Sequence, residues 1–473
     1  LALLFVPLTA HLFLMPKGLW DERYGLRPSG YRLKVHELFL VVVIAAMMAR
    51  VGLRMAVEVV TRRSFKHAPL VIYLRTLFQG QRVRAMAWFV APLALFLLIG
   101  SIATFIVPPP EGRAPAIREW RWLIIEPLIL YILLRLALAH SKRFQWQLIL
   151  TLVVGGAVVA LVGILQYIGI NLVPLIGDKV GFGADATVAE GVRRVTSFYG
   201  HPNNLGLTME RLLPLGYALG FASLPYLRAE WGMQDVRTVR VVQVVLLGST
   251  LLMGIAVLLS FSKGALISTF VALLIITAAQ VEGRGRIFIR PAWLISVGLI
   301  AGAVGIGTIL FFSTERFDLL GASSGVRVKT WLSALAMVRD YPLFGVGMDQ
   351  FLRHYPDYIH PSLANTNEQF TSHPHNLLLD VWLRMGVVGV VVFGWLFGRF
   401  FRPLLHQSVR LFHRQQPHWS PLDVGLLAAM SATVVHGLVD NFYFVPNLAV
   451  IFWVYVALRE GGEVVGHCGQ RRE

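Results

Sequence analysis

Arg193 and Arg194 open the stretch RRVTSFYGHPNN, Lys263 sits in LSFSKGALIS, Arg327 begins the segment RVKTWLSALAMVRD, and His373 and His375 flank the proline of SHPHN. Cations gathered at one surface would hold an anionic group. A diphosphate suits them, because arginine offers a planar, bidentate fork to phosphate oxygens. Such a clamp also stabilises charge developing on a departing phosphate without help from a metal. A neutral imidazole accepts a hydroxyl proton as a general base, and histidine changes charge near neutral pH. Each group also has a plainer reading. Arg193 and Arg194 would serve equally in headgroup contacts or loop salt bridges. Lys263 would snorkel from the end of a span, and Arg327 would be surface charge on a helix. His375 would cap or pack at a helix start, and His373 would be structural or peripheral. His201, beside Pro202 in GHPNN, reads as a turn residue rather than a catalyst. His354 and His360 lie upstream, but the carboxylate–histidine spacing of a helical zinc site is missing, so the spacing predicts no metal. The sequence has no Asp-x-Asp motif, P-loop or GxGxxG after a strand, which disfavours a nucleotide-sugar donor or an ATP-driven machine.

The elements that must position these groups are membrane helices. Of 473 residues, 56% are hydrophobic and 15% charged, and the mean hydropathy is +0.64. The apolar residues fall in runs long enough to cross a bilayer as helix. They lie near 1–15, 38–57, 86–107, 122–140, 147–171, 204–227, 241–261, 264–281, 292–313, 376–397, 421–438 and 441–458. This excludes a soluble enzyme, a secreted disulfide scaffold and a disordered chain, and the continuity of the runs argues against a β-barrel. The reading is an all-α polytopic membrane protein of about twelve spans, forming a single transmembrane domain over 1–473. Leu70–Leu77 is too short to span and would lie in the interface. Residues 1–15 lack a preceding positive region and read as a first span, not a signal peptide.

The net charge of +17 would suggest nucleic acid in a soluble chain, but no groove-reading module is visible, and basic loops meeting anionic headgroups explain it. Cys468 is the sole cysteine and makes neither an internal bridge nor a cysteine-based metal site. Lys and Arg concentrate in alternate loops: 54–84, then Lys142 and Arg143, Arg228 to Arg240, Arg284 to Arg290, Arg399 to Arg414, and Arg471 and Arg472. The bias is moderate and puts that side, with both termini, in the cytoplasm. The opposite side receives 172–203 and the long loop 314–375, and a loop of that length is usually functional. Within it an amphipathic helix is predicted, with Val328, Trp331, Leu332, Leu335 and Val338 on one face and Arg327 and Lys329 off it. Glu126, Arg135, Glu210, Arg211, Asp380 and Arg384 fall inside apolar runs, and Asp440 falls between the last two. Asp380 and Arg384, four apart, would pair, and Glu210 and Arg211 would support the GHPNN turn.

The segment SHPHNLLLDVWLRMGVVGVV resembles the hallmark of bacterial O-antigen ligases, with His375, Asn376, Gly386, Gly389 and Val390 on its positions. RRVTSFYGHPNN is similar to that family's Arg-to-Pro-Asn segment through Arg194, Pro202 and Asn203. LSFSKGAL matches its Ser-Arg-Gly hairpin, with Lys263 at the arginine position. GVRVKTWLSALAMVRDYPLFGVG resembles its Arg-Trp-Pro-Leu-x-Gly-Val-Gly block through Arg327 and Trp331. The resemblance covers about 190–395. It implies a GT-C-type glycosyltransferase of the bacterial inner membrane. Such an enzyme moves O-antigen from undecaprenyl diphosphate to the outer core sugar of lipid A–core on the periplasmic face, with inversion and without cofactor or metal. By the same resemblance Arg194, Lys263 and Arg327 would bind the diphosphate and His375 would deprotonate or orient the acceptor hydroxyl. Arg193, His201, Asn203, Trp331, His373 and Asn376 would give support, and the motif register favours Arg194 over Arg193. Lysine at 263 keeps the charge of the family's arginine but loses its planar fork. The implied partners are the lipid-linked O-antigen, lipid A–core and membrane lipids.

Two other functions compete. An O-antigen polymerase or a protein O-oligosaccharyltransferase would use the same donor and differ in the acceptor, which short motifs do not disclose. A lipid-intermediate transporter would show paired halves with matching interrupted helices, and no such pairing is evident in the sequence.

Overall fold

The computed structural model describes residues 81–469, apart from 110–111, 140, 173–186, 190–191, 233–234, 283–287, 290, 300, 303–321, 413–419 and 442. The expected spans at 1–15 and 38–57 and the interfacial stretch Leu70–Leu77 lie outside the described residues. What is described is mainly helix, and the chain is an all-α membrane protein. Lys142–Tyr167, Val236–Ser260, Lys263–Val281 and Leu377–Arg402 are each long and apolar enough to cross a membrane, and Val90–Phe105 and Pro421–Gly437 are shorter apolar helices.

Helix α1 (Gln81–Phe105) leads to α2 (Arg113–Trp120). A π turn at Arg121–Ile125 joins α2 to α3 (Glu126–Leu138). The long α4 (Lys142–Tyr167) follows, started by the Ser141 hydroxyl accepting the Phe144 N–H. Between α4 and the next helix the loop holds the only regular departure from helix among the described residues. Strands β1 (Thr187–Ala189) and β2 (Val192–Arg194) pair antiparallel, with Thr187 opposite Arg194.

Helix α5 (Pro202–Gly220) is the axis of the bundle, buried from Leu205 through Gly220. It packs on α7 (Val236–Ser260), α8 (Lys263–Glu282), α12 (Pro421–Gly437) and α4. The expected run 204–227 is split: α5 stops at Gly220 and α6 (Leu224–Trp231) restarts behind a Ser223 cap. Glycines let α5 sit close to its neighbours. A Cβ at Gly206 would lie 2.7 Å from the Ala265 methyl, and one at Gly216 would lie 2.6 Å from the Thr250 hydroxyl. Helices α7 and α8 form a tight hairpin whose corner, Phe261, takes a left-handed backbone (φ 46°).

Helix α9 (Ala322–Asp340) and α10 (Phe351–Tyr358) pack together and against α11 (Leu377–Phe412). Helix α11 kinks at Gly386 (φ 68°, ψ −174°). The kink admits the segment 341–348: Val387 N–H donates to the Pro342 carbonyl (3.1 Å) and Val346 N–H to the Leu383 carbonyl (2.7 Å). A Cβ at Gly386 would collide with the Leu343 carbonyl. The last helix, α13 (Pro446–Gly469), packs on α3.

The expected apolar face of α9 is corrected. Val328, Leu332 and Leu335 are exposed, whereas Thr330, Ser333, Ala334, Met337 and Val338 are buried. The helix is pinned by its smaller and partly polar side, where Thr330 and Ser333 hydroxyls return to carbonyls four residues back. Its outward ridge is apolar and is not covered by the described residues. Asp380 and Arg384 do pair, and the Arg384 Nε also reaches Glu119 Oε1 at 3.1 Å. Its guanidinium lies 4.3 Å from the Phe444 ring centroid. With all three side chains nearly inaccessible, the cluster staples α2 to α11.

Candidate active site at the Asp440 carboxylate

The site is built from helix ends. Asn376 caps α11: its Oδ1 accepts the N–H groups of Leu378 (3.0 Å) and Leu379 (3.2 Å), and its Nδ2 donates to the Leu438 carbonyl at 2.9 Å. His201 caps α5, its Nδ1 accepting the Asn203 N–H at 3.2 Å. Lys263 is the first residue of α8, and Gly264 beside it lies against the His436 ring near the end of α12. One turn later the chain reaches Asp440, whose N–H donates to the His436 carbonyl. The starts of α5, α8 and α11 and the end of α12 therefore meet at one end of the bundle.

Asp440 is the joint of this assembly. Its side chain is 5% exposed. Oδ1 accepts from His375 Nδ1 at 3.1 Å and from the Asn441 N–H at 2.8 Å, and His373 Nε2 is 3.6 Å away. Oδ2 accepts from Asn203 Nδ2 at 2.9 Å and from Arg327 Nη2 at 3.3 Å. Asn203 passes the connection on, its Oδ1 accepting from Arg194 Nη2 at 2.8 Å, while Arg194 Nε donates to the Ser260 carbonyl at the α7–α8 corner (2.9 Å). Burial alone would raise the Asp440 pKa. The surrounding histidines, His373, His375 and His436, outweigh it through hydrogen bonding and electrostatic attraction and hold the carboxyl well below its ordinary range. Asp440 is thus an anion, and the ring nitrogen facing it must carry a proton. His375 is left with Nε2 as its one basic atom.

His375 itself has a positive φ of 52°, a conformation uncommon outside glycine and worth strain of about 1–3 kcal/mol. Trp331 holds the strained turn, its indole donating to the His375 carbonyl at 3.3 Å. The two histidine rings lie 4.1 Å apart, and Ser372 Oγ is 3.1 Å from His373 Nδ1.

Strand geometry separates the two arginines, since successive side chains leave a strand on opposite faces. Arg194 is buried in the network. Arg193 turns to the exposed face, where Nη2 donates to the Gln166 carbonyl at 3.1 Å and the guanidinium lies 6.0 Å from the Tyr167 ring centroid. The structure thus brings Arg194, Asn203, Arg327, Trp331, His373, His375 and Asn376 around Asp440, with Lys263 at the adjoining hairpin. His201 serves the start of α5, and Arg193 points elsewhere.

Asp440 was legible in the sequence only as one of several charges in or beside apolar runs. Its signal was position, an acid at the end of a span, but no spacing rule links it to SHPHN. Glu210, expected to support the GHPNN turn, instead lies deeper, with His436 Nδ1 at 2.6 Å and the Ser268 hydroxyl donating at 2.5 Å. It supports the site from below, through His436.

A search of curated proteins gave no match to the chain. A scan of family profiles matched residues 248–394 to the profile described as O-antigen ligase. That segment begins within α7, includes Lys263, Arg327, Trp331, His373 and His375, and ends beyond the α11 kink. Over residues 248–394 the chain is thus similar to the O-antigen ligase family.

Proposed function

We propose that the chain transfers an O-antigen polysaccharide from undecaprenyl diphosphate to the outer core sugar of lipid A–core, at the periplasmic face of the bacterial inner membrane. One observation carries this reading: a single buried carboxylate joins two arginines and the imidazole of His375. Arg194, Arg327 and Lys263 hold the donor diphosphate. His375, oriented through Nδ1 by Asp440, takes the acceptor hydroxyl proton on Nε2. The freed oxygen attacks the anomeric carbon opposite the departing diphosphate, the old C–O bond breaks toward the lipid, and the configuration inverts. Positioning and charge stabilisation suffice for this step, because the diphosphate is already a good leaving group.

The architecture we propose around this site is a single GT-C-type transmembrane domain of about twelve spans with both termini cytoplasmic. The loop 314–375 then lies in the periplasm as part of the active site. Purified protein, lipid-linked O-antigen and lipid A–core, incubated in chelator and resolved on a gel, test the reading. A ladder of capped lipid A–core from wild type, lost in His375→Ala, is expected. Longer lipid-linked glycan without capping would make the protein a polymerase. Translocation without covalent product would make it a transporter.

A further inference from the structure

The two histidines and Asp440 form a donor set that crosses the fold. One ring nitrogen from each histidine and a carboxylate oxygen of Asp440 all lie within 4.8 Å of one another. His373 Nε2 and His375 Nδ1 stand 3.6 and 3.1 Å from Asp440 Oδ1. Ligands bound to zinc at their usual lengths are separated along a tetrahedron edge by about 3.4 Å. The two distances bracket that value. Asp440 offers Oδ1 inward while Oδ2 is fixed by Asn203 and Arg327, the outer-shell support that orients a ligand in advance. The histidine side chains, 19% and 26% exposed, leave an ion a path that Asp440 alone would not.

We propose that this triad is a binding site for a zinc-type divalent cation whose occupation switches transfer off. The inhibitory half rests on His375 being the base, as read above. In the metal-free site the ring proton sits on Nδ1, donated to Asp440, and Nε2 keeps its lone pair. A cation bound at Nδ1 takes that nitrogen's lone pair, so the proton of the neutral ring moves to Nε2. The imidazole then presents an N–H where the acceptor hydroxyl needs an acceptor, and deprotonation stops. Arg327, bonded to the other carboxylate oxygen, repels the cation and makes the site weaker than a closed structural zinc site.

The full-length protein, treated with EDTA and exchanged into chelator-free detergent buffer, is titrated with Zn²⁺ by calorimetry and with Co²⁺ by visible absorption. One equivalent bound, with the intense absorption of four-coordinate Co²⁺, is expected. His373→Ala should weaken binding at least tenfold, and Asp440→Asn provides the same reading should the first variant not fold. Zn²⁺ should lower wild-type transfer at least tenfold, reversibly with EDTA, and His373→Ala should need correspondingly more Zn²⁺ for inhibition relative to its own metal-free rate. Absence of binding, or equal binding by wild type and both variants, overturns the site. Binding without inhibition overturns the switch. Failure of wild type to transfer in chelator would sink the proposed function instead, and the binding titration is read independently of it.

Discussion

At the residue scale, Asp440 fixes the proton of His375 and the position of Arg327 at once. Asp440→Asn should lower kcat between about 10- and 10⁴-fold, the range reached when the acid orienting an imidazole base becomes an amide. Donor binding should change less, which a split between kcat and KM would show. The depressed Asp440 pKa also has a stability consequence. A carboxylate with a lowered folded-state pKa stabilises above its unfolded value, near 3.8, and loses that contribution as pH falls through the folded value. The melting-temperature gap between wild type and Asp440→Asn should therefore be flat around neutrality and close only in acid below that value. The pH dependence that His375 confers on transfer as the base should be absent from the residual rate of His375→Ala. Lys263 can be tested by charge and shape separately. Lys263→Ala should reduce transfer about 10²-fold, as loss of one oxyanion donor does, while Lys263→Arg should retain most of the rate. Equal rates for wild type and Lys263→Ala would remove it from the site.

At the element scale, the kink in α11 determines how the segment 341–348 meets the bundle. Gly386→Ala must place a Cβ against the Leu343 carbonyl at a positive φ. It should destabilise by about 1–3 kcal/mol, read as a lowered melting temperature. The motif reading placed Gly386 by spacing, and the structure supplies the reason: backbone hydrogen bonds from 341–348 need the space. Strand alternation makes another test. Arg194→Ala should abolish transfer, whereas Arg193→Ala, turned to Gln166, should leave it within a few-fold. The motif register favoured Arg194, but only pairing with Thr187 on β1 decides the faces. The helices were legible because lipid demands continuous apolar runs. The outward ridge of α9 was not, because hydrophobic periodicity marks an apolar face without saying whether protein or lipid covers it. The Asp440 contacts to His375 and Asn203 were not legible either, because they join residues 65 and 237 positions apart.

For the whole molecule, the proposed topology puts the functional end outside and the C-terminus inside. A Gln369→Cys variant should react with a membrane-impermeant thiol reagent on spheroplasts, and Cys468 only after permeabilisation; the reverse pattern would invert the protein. The convergence of helix starts has a further consequence. The first turns of α5, α8 and α11 all open on the neighbourhood of His436 to Asp440. Each contributes up to roughly half a unit of positive charge through its aligned peptide dipoles. Unlike a side chain, a peptide dipole cannot be titrated away, methylated or substituted by a point mutation. An anion arriving at this end of the bundle would meet a built-in electrostatic floor, on which Arg194, Lys263 and Arg327 add selectivity rather than the whole of the attraction.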